Sequence, residues 1–142
     1  MPAKFERDGI SLQYPENWQL IPDGYPSGWG VTVQSPATAY LTLTLDGSRP
    51  GIGELADTAL AALRDIYPEL EEQSVSSTLA GLPCIGYDAE FFSLDLTNTC
   101  MIRAIALASG TLMVLAQVTD LEGHNLAVLR AIMASLRIDE DE

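Results

Sequence analysis

Positive charge is scarce in this sequence. Seven lysines and arginines stand against 20 acidic residues, for a formal net charge of −13, and Lys4 is the single lysine. A field of that sign repels nucleic acid and anionic membrane surfaces, which excludes both as expected partners. It serves solubility, or it steers in a basic partner. No apolar run reaches the roughly 18 residues of a membrane span. The opening, MPAKFERDGI, has neither an apolar h-region nor a cleavage site, so the expected location is the cytoplasm. The two cysteines, Cys84 and Cys100, fit no zinc spacing and no C-x-x-C motif. They read as reduced, small packing residues on opposite sheet faces, without a disulfide. The one histidine, His124, has no partner nearby in EGHN for a metal site or a nucleophilic triad. No metal and no cofactor is expected.

What is present is apolar and periodic. Apolar residues make up 47% of 142 residues, too many for disorder and enough for one core without metal or disulfide. One domain is expected over 1–138, with DEDE at 139–142 as a solvated acidic tail. GISLQYP alternates and stops on Pro15, NWQLIP is a short second strand, and the turn-rich PDGYPSG is a loop. GWGVTVQSP and TAYLTLTLDG alternate as half-buried strands, with Leu41, Leu43 and Leu45 to one side. In GIGELADTALAALRDIYPEL the period becomes helical, through Ala56, Ala59, Leu60, Leu63, Ile66 and Tyr67, until Pro68. EEQSVSSTLAGLP is a polar strand and a turn. A closing helix follows Asp120 as N-cap, with a stripe of Leu126, Leu129, Met133 and Leu136.

Two long alternating segments, 84–94 and 99–108, predict a hairpin. A turn centred on Leu96-Thr97 pairs Glu90 with Arg103 and Phe92 with Met101, and opposite charges then meet. Ser109-Gly110 turns the chain into a further strand, 111–119: a three-residue turn would bring Gln117 beside Arg103 and a two-residue turn beside Ile102, and the first is the better pairing. Ala104, Ala106 and Ala108 mark a face where a helix can pack closely. Hairpins separated by two helices define an α+β fold with a mainly antiparallel sheet. GIGELA matches G-x-G-x-x-A, but Glu54 and Asp57 repel phosphate and no parallel strand follows, so it reads as a loop feeding a helix. Glu69, Glu71 and Glu72 read as a solvated edge.

The opening FERDGISLQYPENW resembles that of the Mog/PsbP-like superfamily: a strand, Tyr14-Pro15, then Trp18 three residues on. GLPCIGYDAEF, as a Gly-x-Pro lead-in to a long strand, and the closing LRAIMASLRI are similar too. The resemblance covers most of the chain in element order and points to the small bacterial cytoplasmic branch. It implies an antiparallel sheet with helices packed on it, a Mog/PsbP-like sandwich. Members include an extrinsic photosystem subunit, a Ran-binding import factor and bacterial chaperones that cradle transmembrane segments, so binding is the expected activity. The chain lacks the targeting segment of the plant branch and an acidic motif of the Ran-binding branch, and no functional residue transfers individually.

The expected function is a non-enzymatic protein- or peptide-binding module, chaperone- or adaptor-like, using the open sheet face opposite the alanines. Candidate contact residues are Tyr25, Trp29, Tyr40, Phe92, Met101, Arg103 and Met113. A second copy of the chain is a further candidate partner. The alternatives are a small enzyme using Asp88, Glu90 and Arg103, and a purely structural subunit.

Overall fold

The computed structural model describes residues 2–139. β1 (Ala3–Arg7) and β2 (Ile10–Tyr14) form a hairpin over Asp8-Gly9, both at positive φ. Asp and Gly are the residues that accept this turn geometry. The chain then lays down β3 (Gln19–Asp23), β4 (Gly28–Gln34), β5 (Tyr40–Asp46), α1 (Ile52–Ile66), β6 (Glu71–Leu79), β7 (Leu82–Ser93), β8 (Leu96–Ala106) and β9 (Thr111–Thr119). One turn of 3-10 helix at Asp120–Glu122 leads into α2 (His124–Ala134) and β10 (Arg137–Ile138). The strands make two antiparallel sheets, one ordered β1-β2-β10 and one ordered β3-β4-β5-β9-β8-β7-β6. This is the α+β architecture the patterning implies.

The seven-stranded sheet is covered in part on each side. α1 lies over β7, β8 and β9, where Ala56 and Leu60 meet Ala89, Ile102 and Ala104. The small side chains of Ala89 and Ala104 let the helix sit close. Tyr87 donates to Asp57 at 2.5 Å, and Arg64 pairs with Glu72, so polar contacts flank this interface. The other face packs Val31, Leu43, Met101 and Val114 against the small sheet and α2. Cys84 belongs to that core and Cys100 to the α1 side, both unpaired, as the parity of their positions requires.

Both tryptophans are buried. Trp29 Nε1 donates to Asp8 at 2.9 Å, Phe5 lies against its ring, and the Arg7 guanidinium sits 5.3 Å from the ring centroid. Trp29 therefore fastens the small sheet to the large one and is not an exposed anchor.

The hairpin registers differ from expectation. β7 and β8 turn at Leu94-Asp95, so Arg103 faces Gly86 and Glu90 faces Thr99. A left-handed two-residue turn suits Asp95, and that local geometry outweighs the charge pairing used to set the register. The slip is even, so the faces of Asp88, Glu90, Met101 and Arg103 stand. Between β8 and β9 the slip is odd. A four-residue connection, closed by Leu107 N–H donating to Gly110 at 2.8 Å, sets Arg103 opposite Val114 and Ala104 opposite Met113. Every β9 residue thus lies on the face opposite to the one expected. Asp120 opens the 3-10 turn and does not cap α2. The last residues leave the helix because Ile138 can pair with Ile10 along the free edge of β2. Asp139 N–H donates to Gly9 at 2.7 Å, and the rest of the expected 139–142 tail lies outside the described residues.

Leu94 holds φ 53 while 92% exposed, a conformation that Asn adopts more readily. L94N should stabilise the protein by about 0.5–1 kcal/mol, read from the urea midpoint at constant m-value.

Candidate functional site

The expected contact residues do not share one face. Tyr40 and Met113 lie on the α1 side, where Tyr40 donates to Gln117 at 3.0 Å and burial pushes its phenol up. Tyr25 donates to Asp46 at 2.8 Å, which raises the Tyr25 pKa. Asp46 also accepts from the Ser48 hydroxyl at 2.6 Å and its N–H at 3.0 Å, and these bonds hold its carboxyl below the usual range. Tyr25 thus secures the turn after β5. Trp29 is core. Met101 is 3% exposed and also belongs to the core, while Phe92 is 77% exposed. The open face is in fact two half-covered faces, and the expected set divides between them.

Phe92, Met101 and Arg103 line three neighbouring hollows that share lining residues. A cavity of 610 Å³ opens where α1 ends, between Ile66, Tyr67, Phe91, Phe92 and Thr97, with Glu69, Glu71 and Glu90 on its walls. Tyr67 stacks on Phe91 with centroids 4.0 Å apart. Glu71 and Glu90 continue into a 370 Å³ cavity beside Asp88, Met101, Leu126 and Arg130. Met101 and Arg130 continue into a third, of 450 Å³, with Arg103, Met133 and the Ala80-Gly81 turn. The three follow β6 and β7 from one end to the other, and α2 forms the far wall of the last two.

Two electrostatic features distinguish this band. Arg103 Nη2 lies 2.9 Å from Asp88 Oδ1, an ion pair without hydrogen-bond alignment, and Nη1 donates to the carbonyls of Tyr87 and Ile102 at 3.2 and 2.9 Å. Arg103 is therefore a strut between β7 and β8. Glu90, its expected partner, instead faces Glu71 directly across the β6–β7 ladder, and both are exposed. Like charges in that position destabilise a sheet. The sequence showed the acidic residues as a cluster but not that Glu90 joins them. Arg130 and Ile66 were also missed as lining residues, because helix spacing alone does not show where a helix ends against a sheet. Among the described residues, no group of three or more His, Cys, Asp and Glu could hold a metal ion, and no helix is long and apolar enough to cross a membrane.

Solved structures define the class of fold. LpqN of Mycobacterium tuberculosis, involved in cell envelope biogenesis, is similar at 16% identity and TM-score 0.59, over 99% of this chain and 90% of that one. Cyanobacterial PsbP (CyanoP) from Synechocystis sp. PCC 6803 is similar at 8% identity and TM-score 0.62, over 97% of this chain and 92% of that one. A Bacteroides thetaiotaomicron protein reaches 0.64 at 14% identity, and the alignment covers 97% of this chain and 48% of that one. The chain has the PsbP-like fold. No family model and no curated protein matches the sequence.

Two predictions come from this geometry. Met101 is core, so M101K should unfold the protein outright, seen as loss of near-UV and far-UV circular dichroism. Burial, with a contribution from Asp88, pushes the Cys100 thiol from 9.0 up to about 12. The folded chain keeps that proton after the unfolded chain has lost it. The stability tied to it is whole below pH 9 and is lost as pH rises toward 12. Tyr40, raised by burial, acts in the same direction. Urea midpoints should fall between about pH 8 and about pH 11, and less steeply in C100A.

Proposed function

We propose that this chain is a non-enzymatic module, one domain over 1–138, that binds a protein or peptide in the band of cavities along β6 and β7. The ligand is a segment that presents an apolar side chain beside a lysine or arginine. One observation carries the reading. Glu71 faces Glu90 across the ladder, next to exposed Phe92 and Ile66, and among the described residues no basic residue lines that cavity. A cation placed there relieves the repulsion and can lie over an aromatic face, while its apolar neighbour covers Phe92 and Ile66. The resemblance to a superfamily whose members mostly bind supports this. The enzyme alternative is weaker, since Arg103 is engaged as a strut and Glu90 is paired away from it. Self-association is the other form of partner this reading admits.

The test uses opposed signs. Calorimetric titration with a synthetic peptide alternating leucine and arginine should show binding that weakens with salt. E90Q should stabilise the free protein by about 0.2–1 kcal/mol and yet bind the peptide several-fold more weakly. F92A should lose about 10-fold in affinity at an unchanged melting temperature. If E90Q destabilises, or if both variants bind like the parent, the cavity is not the docking site.

A further inference from the structure

The seven-stranded sheet has two outer strands, β3 and β6, and they are built differently. β3 is five residues long and contains Pro22, which removes a backbone donor. Short length and proline are standard protections of an edge. β6 is nine residues long and has no proline and no lysine. Its register with β7 runs unbroken from Glu71↔Glu90 to Leu79↔Leu82, so no bulge twists the edge away. Its extensive contacts are with β7 alone. Gln73–Ser77, the middle of the strand, is uncharged. A row of outward backbone N–H and C=O groups of this length is a template for another strand.

We propose that β6 pairs with β6 of a second copy of this chain, antiparallel about a two-fold axis through Val75. Centring on Val75 is the arrangement in which all nine residues pair. Charge is compatible with this arrangement. It sets Glu71 opposite Leu79 of the partner subunit, Glu72 opposite Thr78 of the partner subunit and Gln73 opposite Ser77 of the partner subunit. No carboxylate meets a carboxylate, although each edge carries two. The two copies of Glu71 end up eight residues apart along the ladder, about 27 Å. That is well beyond a Debye length of about 8 Å at physiological salt. A protein of net charge −13 can therefore join along this edge with its acids held at the two ends. Val75, half-buried, meets its own counterpart at the axis. The two sheets become one, with both copies of α1 on the same side. The pairing does not rest on the peptide-binding reading, because Val75 lines none of the three cavities.

Sedimentation velocity on the unmodified chain should give the mass of two chains at micromolar concentration. V75K places like charges against each other on the axis and should raise the dissociation constant about 100-fold, while the single chain keeps its far-UV circular dichroism and melts where the diluted, dissociated parent does. V75E should do the same, and an equimolar mixture of V75K and V75E should sediment as two chains. In the unmodified protein, the outward amides within Gln73–Ser77 should exchange slowly and become faster on dilution. A single-chain mass up to about 100 μM, near the low-affinity end of specific association, would overturn the proposal. So would a two-chain mass that V75K leaves intact, or fast exchange along β6 at high concentration. A peptide strand from another protein as the true occupant would appear as the first of these outcomes. Peptide titration of V75K separates the two readings, since capture in the acidic cavity should persist in the single chain.

Discussion

The middle of the large sheet is buried on both faces, and the rest of the structure follows from that constraint. In β8, Cys100, Ile102 and Ala104 serve the core under α1, while Met101 and Ile105 serve the core under the small sheet and α2. All five are 3% exposed or less. A strand in that position has no solvent side to absorb an error, so a slip of one residue would exchange two sets of side chains of different size. The sets do differ. Ala89 and Ala104 admit a helix at close range, while Leu, Val and Met on the other face fill the wider space under a sheet. Gly86 marks where this packing is tightest. A Cβ there would stand 1.7 Å from the Ile102 carbonyl oxygen, so no other residue fits without moving β8. The empty place opposite Arg103 leaves room for its guanidinium to reach across β7.

Double burial also explains which parts of the fold were legible. Period and punctuation place nearly every strand and both helices, because alternation, Pro15, Pro68 and Asp46-Gly47 report local geometry. The resemblance carried by Tyr14, Pro15 and Trp18 pointed to the architecture that the solved neighbours share. Register was harder to read. When both faces are apolar, the hydrophobic pattern no longer says which face is which, and the choice fell to pairings such as Glu90 with Arg103. Those pairings were outweighed by the turn at Leu94-Asp95 and by the connection from Leu107 to Gly110. The even slip preserved the face of Met101, and the odd one inverted Met113. β1 escaped notice because AKFER is mostly exposed and charged, and β10 because two residues are too few to show a period, existing only because β2 offers it an edge.

The candidate site was legible one residue at a time and not as a place. Phe92 stood out in the sequence as an apolar residue on an acidic chain, and it is exposed. Its surroundings come from the end of α1, the start of β6 and the far end of β7. Only the pairing of β6 with β7 reveals that Glu71 and Glu90 are opposed. The neighbouring cavities add α2, contributed by the last part of the chain. Local sequence carries no signal for such convergence.

Charge placement joins the fold to the site. The few basic groups are largely engaged in holding elements together: Arg103 with Asp88 between β7 and β8, Arg64 with Glu72 between α1 and β6, and Arg7 over Trp29 between the sheets. Arg137 donates to the Ala134 and Leu136 carbonyls at the end of α2. Lys4 pairs with Glu6 on β1. Cations fixed at these positions do not line the acidic cavity, although Arg130 stands in the adjoining cavity that Glu71 and Glu90 also line. Desolvating such a group of carboxylates costs free energy unless a positive charge arrives with the partner. An apolar ligand would meet that cost at Phe92, whereas a ligand carrying its own cation would not. Under the peptide-binding reading proposed above, the scarcity of basic residues along the chain would act as a selectivity device at this one place, as well as a source of net charge.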